Sequence, residues 1–222
     1  MKNEAVTSLM FPQYPNFCGV ASCGGAANAI LHIDLSQEDL HHTYGIGKYT
    51  KLKIPIGFNF AKDSFKDYQK IGMGMSNWDI VRLFNAIMLD HDKTPYSLVL
   101  AGQDFVREMK ADNFANLNDW LQQEGNQAVV HIVDHYVLFA GSYEDEKSRK
   151  YMVCADPSGS KGPVNSLPLS ELITLASKDR KYGRYGMILL SDTEIPSEAL
   201  FSEVNENMFP KESTTRERFS RI

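Results

Sequence analysis

The chain divides by the period of its hydrophobic residues. Up to about residue 124 the recurrent apolar positions are spaced at three and four, as on a helix with one buried face. From Gln127 onward they fall in short apolar or alternating blocks, as in strands. Gly19–Leu31, a run of small residues, predicts a tightly packed helix, held by tertiary contacts because Gly24 and Gly25 weaken it in isolation. A second helix is expected over Leu35–Leu40, behind Ser36, with Glu38 and Asp39 near its positive end. Ser76-Asn77-Trp78-Asp79 is a capping-box variant; it opens Ile80, Leu83, Phe84 and Ile87, a helix ending near Asp90. Ser97–Leu100 reads as a strand, and Leu117–Glu124 as a helix capped by Asn116 and stopped by Gly125. Strands are then expected over 127–133, 135–143 and 150–157, with a charged turn at 144–149. A helix enters near Pro168, suited to a first helical position, and the last strand lies within 181–191. The class implied is α+β, a helical N-terminal half packed on a mainly antiparallel sheet from the C-terminal half.

Three stretches lack such a period. Residues 1–10 read as an extended lead-in. Residues 41–72 mix aromatics, glycines and lysines and read as a long loop with short elements, or an insertion over a groove. From Asp192 the chain is polar and charged, and its last part is expected to be mobile. The organisation expected is one domain over 1–191 and a C-terminal extension over 192–222, without internal repeats.

A chain of 222 residues is long enough to bury a real core. Its net charge of -5 argues against nucleic acid as a main partner, which needs a basic surface. No apolar run approaches the roughly 20 residues of a membrane span, and the N-terminus has no apolar core of signal-peptide length. These features point to a cytoplasmic protein without membrane insertion, or one exported by a route needing no N-terminal signal. They leave a homo-oligomer open. The three cysteines, Cys18, Cys23 and Cys154, make no disulfide framework and no CxxC zinc pair. Cys23, five residues after Cys18 on a helix, points away from it and reads as core, as does Cys154 in an apolar strand. The adjacent His41 and His42 point apart and read as exposed rather than as ligands. Neither a metal nor an organic cofactor is implied.

Chemistry concentrates at Cys18. A Pro-containing loop there becomes a helix, and the positive end of a helix dipole favours the reactive thiolate. Taken alone, such a cysteine more often means a small buried residue. Two residues of the strand block change that. His135 opens a strand after a turn at Asp134, and Asp156 ends the strand that hairpins back. The start of one hairpin strand lies beside the end of the other, so the two can be neighbours. Asp156 could then fix the imidazole tautomer and leave the other nitrogen to face a thiol. That is nucleophile, base and orienter, the requirement of covalent acyl transfer. On spacing alone, a strand-end His and a turn Asp before Pro157 are the commoner meaning.

In order of motifs, the chain resembles the papain-like cysteine peptidases, and more narrowly the catalytic domain of the phytochelatin synthases. That family has a glutamine-containing loop, Cys-Gly-Leu-Ala-Ser, a helix ending Leu-Asn-Ala-Leu, and an Asp. Here the matching positions are Gln13 to Cys18, Gly19-Val20-Ala21-Ser22, Asn28-Ala29-Ile30-Leu31 and Asp34. The family's catalytic His leads to a Gly and a Tyr, as His135 leads to Gly141 and Tyr143, and its catalytic Asp matches Asp156. Leu167-Pro168-Leu169 and Gly186-Met187-Ile188 complete the order. The resemblance implies a papain-like fold, a Cys18-His135-Asp156 triad, and an oxyanion hole from Gln13 and the Cys18 backbone.

The departures bear on substrate. Gln13 lies one residue closer to the cysteine than in the family. The family's Arg three residues after its Asp, which helps hold a γ-glutamyl group, is Gly159 here, and the Gly before its His is Asp134. The plant enzymes' cysteine-rich extension has no counterpart. The resemblance therefore implies a thiol hydrolase or peptidyltransferase acting on a small, glutathione-like peptide. The alternative is a protease or deamidase acting on a protein, such as an exported bacterial effector. A third reading is a non-catalytic module that keeps the fold.

Overall fold

The structure, a computed structural model, describes residues 18–43, 75–133, 135–158, 164–179 and 183–210. The expected lead-in at 1–10, Gln13, Asp134, Gly159, nearly all of the 41–72 stretch and the tail beyond 210 lie outside the described residues.

In chain order the elements are α1 (Cys18–Leu31), α2 (Gln37–Thr43), α3 (Asn77–Asp90), β1 (Tyr96–Ala101), α4 (Gly102–Lys110) and α5 (Phe114–Leu121). There follow β2 (Asn126–Ile132), β3 (His135–Glu144), β4 (Lys150–Ala155), β5 (Val164–Pro168), α6 (Leu169–Lys178), β6 (Gly186–Ser191), α7 (Ser197–Leu200) and a 3-10 turn, Glu206–Met208. The protein is α+β. Its six strands form one sheet in the order β1-β6-β2-β3-β4-β5, antiparallel at every pairing.

Helices cover both faces of this sheet, where the sequence pattern predicts a simpler division into halves. Alternate strand residues point to opposite faces. Val99, Val129, Tyr136, Leu138 and Ile188 join α1 and α3 in one core cluster. Leu100, Val130, Val137, Phe139 and Leu189 join α4, α5 and α6 in a second. Burial on two sides explains why β6, Gly-Met-Ile-Leu-Leu-Ser, is buried along its whole length.

The elements that carry chemistry follow from local rules. α1 is buried almost all round, from Cys18 to Asn28, so its small residues serve packing against β2, β3 and α3 rather than one amphipathic face. A Cβ on Gly19 would come within 2.9 Å of Ile80 Cδ1 and 3.1 Å of Met75 Sδ, so glycine lets α3 approach beside the cysteine. The capping box of α3 forms in full: Ser76 and Asp79 each bind the other's backbone N–H. Ser36 and Asp39 make the same exchange at α2.

Several boundaries differ from those expected. α5 begins at Phe114 rather than Leu117, because Phe114 is itself a buried core residue. Pro168 ends β5 and caps α6 instead of opening it, and β6 starts only at Gly186. The packed chain also continues past residue 191. Ile195, Leu200, Phe201 and Met208 are buried in the second cluster. The buried carboxylate of Glu108 accepts from the Ser202 backbone N–H at 2.7 Å and the Asn113 amide at 2.8 Å, fastening this segment to α4. Among the described residues no helix is long and apolar enough to cross a membrane.

Candidate active site

Cys18 is the first residue of α1 and is only 9% exposed. Its backbone N–H is one of the first four of a helix, which have no partner within the helix. α1 thus starts at Cys18, while the loop expected before it lies outside the described residues.

His135 and Asp156 meet across the β3–β4 hairpin. The last pair of that ladder is Leu138 with Ala155. Asp156 thus emerges one residue later, beside the beginning of β3, with the parity of His135. Imidazole Nε2 lies 2.8 Å from Asp156 Oδ1, and both side chains are largely shielded, at 25% and 16% exposure. With Nε2 on the carboxylate, Nδ1 is the nitrogen left for the remaining partner, the side chain of Cys18. Hydrogen bonding to Cys18 is the largest influence on the ring, followed by burial, which opposes it, and by Asp156; together they hold the imidazole pKa up to about 9.

Asp156 is itself fixed. Burial favours its neutral form, but the backbone N–H and hydroxyl of Ser158, together with His135, outweigh this and keep the carboxyl below its ordinary range. The Ser158 N–H donates to Oδ1 at 2.8 Å, and the Asn165 amide approaches Oδ2 at 3.3 Å from β5. A carboxylate held on both oxygens can present only one orientation to His135. The other two cysteines sit in the core. Burial pushes the Cys154 thiol up to about 12 and the Cys23 thiol higher still, so neither is a competing nucleophile.

A second layer of polar groups stands behind the histidine. The Tyr136 hydroxyl lies 2.8 Å from the Met75 carbonyl and 3.0 Å from Asn77 Oδ1. His131 stacks on the Tyr136 ring at 4.0 Å and places Nδ1 2.9 Å from the same Asn77 oxygen. Asn77 Nδ2 donates to the Arg184 carbonyl at 2.8 Å. Burial first, and then the charge of Cys18, push the Tyr136 hydroxyl well above its ordinary pKa, so it stays a neutral donor.

The structure thus brings Cys18, His135 and Asp156 together, while Gln13 lies outside the described residues. Sequence reasoning did not single out Ser158, Asn165, Asn77 or Tyr136. Ser158 had a local signal, since an Asp side chain commonly binds the backbone two residues on. Asn165 and Asn77 had none, because their places depend on the register of β5 and the docking of α3. Among the described residues no group of three His, Cys, Asp or Glu is placed to hold a metal ion. Compared with known proteins, the chain matches no family model and no curated protein sequence.

Proposed function

We propose that the chain is a cysteine-dependent acyl-transfer enzyme of papain-like fold, acting through Cys18, His135 and Asp156. The observation that carries this reading is the histidine ring, with one nitrogen on a fixed carboxylate and the other left for the thiol at a helix start. A helix bearing the cysteine against an antiparallel sheet bearing the other two supports the fold assignment.

In this mechanism the Cys18 sulfur attacks an acyl carbon and a C–S bond forms. The carbonyl oxygen becomes an oxyanion near the Cys18 N–H, with the Gln13 amide as the second donor implied by the resemblance. One such donor is typically worth about 3 kcal/mol. The C–N bond then breaks and protonated His135 delivers its proton to the leaving amine. Water or a second amine, deprotonated by His135, releases the acyl group and restores the thiol. Asp156 orients the imidazole throughout. The chain's own residues complete this cycle with no cofactor.

The substrate in this proposal is a small, glutathione-like peptide. Gly159, where the resembling enzymes carry an Arg, favours the second reading, a protease or deamidase acting on a protein. Incubation with glutathione and with unfolded protein, followed by mass spectrometry, separates the two. Turnover of either substrate should disappear in Cys18→Ala. Turnover that survives this substitution contradicts the enzyme assignment.

A further inference from the structure

One buried hydrogen bond links the helix that carries the cysteine to the strand that carries the histidine. The Ser22 hydroxyl donates to the Tyr136 carbonyl at 3.0 Å, across 114 positions of sequence, and Ser22 is fully buried. Ser22 stands four residues after Cys18, one helical turn along the same side of α1. Tyr136 is the residue after His135. A single short bond therefore ties the two backbones within one turn of the sulfur and one residue of the imidazole.

The rest of the surroundings leaves this bond as the adjustable element. Tyr136 is fixed from its side-chain end by the Met75 carbonyl and Asn77. His135 is fixed by Asp156, itself held by Ser158 and Asn165. The opposite side of α1 rests on α3 through Gly19, and Cys23 Sγ lies 3.6 Å from the Ile80 carbonyl. These contacts set how deeply α1 sits against α3. Between Cys18 and Ser22 stand Gly, Val and Ala, with no side-chain hydrogen-bonding group, so within this turn the hydrogen bond from α1 to the β3 backbone comes from Ser22.

We propose that Ser22 is a positioning residue, which sets the separation of the Cys18 sulfur and the His135 imidazole through its bond to the Tyr136 carbonyl. The proposal rests on the acyl-transfer reading of the site. It adds a requirement that the reading does not contain: the hydroxyl one turn along from the nucleophile is needed for reactivity, not only for folding. Loss of about 1 Å of registration at such a site costs on the order of 100-fold in rate.

The test uses the full chain with Ser22→Ala, Ser22→Thr and Asn28→Ala. Asn28 is a buried residue of the same helix whose side chain bonds the Leu35 backbone N–H and carbonyl at 2.9 and 3.0 Å, far from the cysteine end, so its variant reports general loosening of α1. Two quantities are read for each: the NMR titration of His135 and the rate of Cys18 alkylation by iodoacetamide at pH 6. In Ser22→Ala the His135 midpoint is expected to drop from about 9 toward 6.5, the ordinary value, and alkylation to slow about tenfold or more. Asn28→Ala lowers the unfolding midpoint with both readouts unchanged. Ser22→Thr, which keeps the hydroxyl, restores both. Should Ser22→Thr fail to fold, the contrast of Ser22→Ala with Asn28→Ala decides alone. The proposal is overturned if Ser22→Ala keeps the midpoint near 9 and the wild-type alkylation rate; the triad then stands without it. A wild-type chain whose His135 titrates near 6.5 and whose Cys18 resists alkylation overturns the acyl-transfer reading instead.

Discussion

The ionisation of His135 can be taken apart partner by partner. Its pKa is held at about 9 against an ordinary 6.5, a preference for the protonated ring worth roughly 3 kcal/mol at 1.36 kcal/mol per pH unit. Hydrogen bonding to Cys18 is the largest contribution, burial opposes it, and Asp156 adds to it. Three variants follow: Cys18→Ala, Asp156→Ala and the double substitution. Cys18→Ala should lower the midpoint by more than Asp156→Ala does, even though the Asp156 contact is short, at 2.8 Å. In the double variant both supports are gone while the ring remains three-quarters shielded. Uncompensated burial disfavours the imidazolium, so the midpoint should fall below 6.5. The assay is a ¹⁵N–¹H correlation spectrum of the imidazoles recorded from pH 5 to 10, with His135 assigned by its loss in His135→Gln. A wild-type ring that titrates near 6.5, or a midpoint that stays in place when Cys18 is removed, contradicts this division among the partners.

Other consequences can be checked separately. A raised pKa marks a protonated form that the fold prefers; the stability His135 contributes is full below about pH 6.5 and is lost as the pH rises through about 9. Turnover that needs His135 protonated should fall over the same alkaline limb, and Asp156→Asn should move that limb toward neutrality by about one pH unit, read from kcat/KM profiles. The carboxyl of Asp156 behaves oppositely. Its contribution is present above the ordinary 3.8 and fades only as the pH falls below it, which the ¹³C shift of the carboxyl will show. Gly19→Val forces branched carbon against Ile80 and Met75, and should cost about 2 kcal/mol in urea unfolding. Glu108→Ala leaves the Ser202 N–H and the Asn113 amide without their buried acceptor. It should cost about 2 kcal/mol and open the chain near residue 202 to limited proteolysis.

What could be read in advance was whatever is encoded locally. The Ser76–Asp79 box, the apolar spacing of α3 and the strand blocks from Gln127 each carry their own signal within a few residues. The meeting of His135 with Asp156 was legible because a hairpin fixes which residues become neighbours. What escaped depends on contacts across the sheet. α4 was missed because Gly102 opens a short helix with only Phe105, Val106 and Met109 to mark its buried face. The segment after Asp192 looked like a polar tail, since Ile195, Leu200, Phe201 and Met208 are apolar residues scattered among charges. They pack into the second cluster beside Glu108, an acid whose place inside could not be inferred from its own surroundings in sequence. Ser22 lay within the motif that drew attention to Cys18, yet its partner, a backbone carbonyl, leaves no trace in residue identity.

The most direct measurement is the site of alkylation by iodoacetamide at pH 6, read by peptide mass spectrometry on the native chain. The expected result is rapid, single modification at Cys18, with Cys23 and Cys154 untouched, and a rate that collapses in His135→Gln. A Cys18 that resists the reagent, or reacts equally fast without His135, contradicts it.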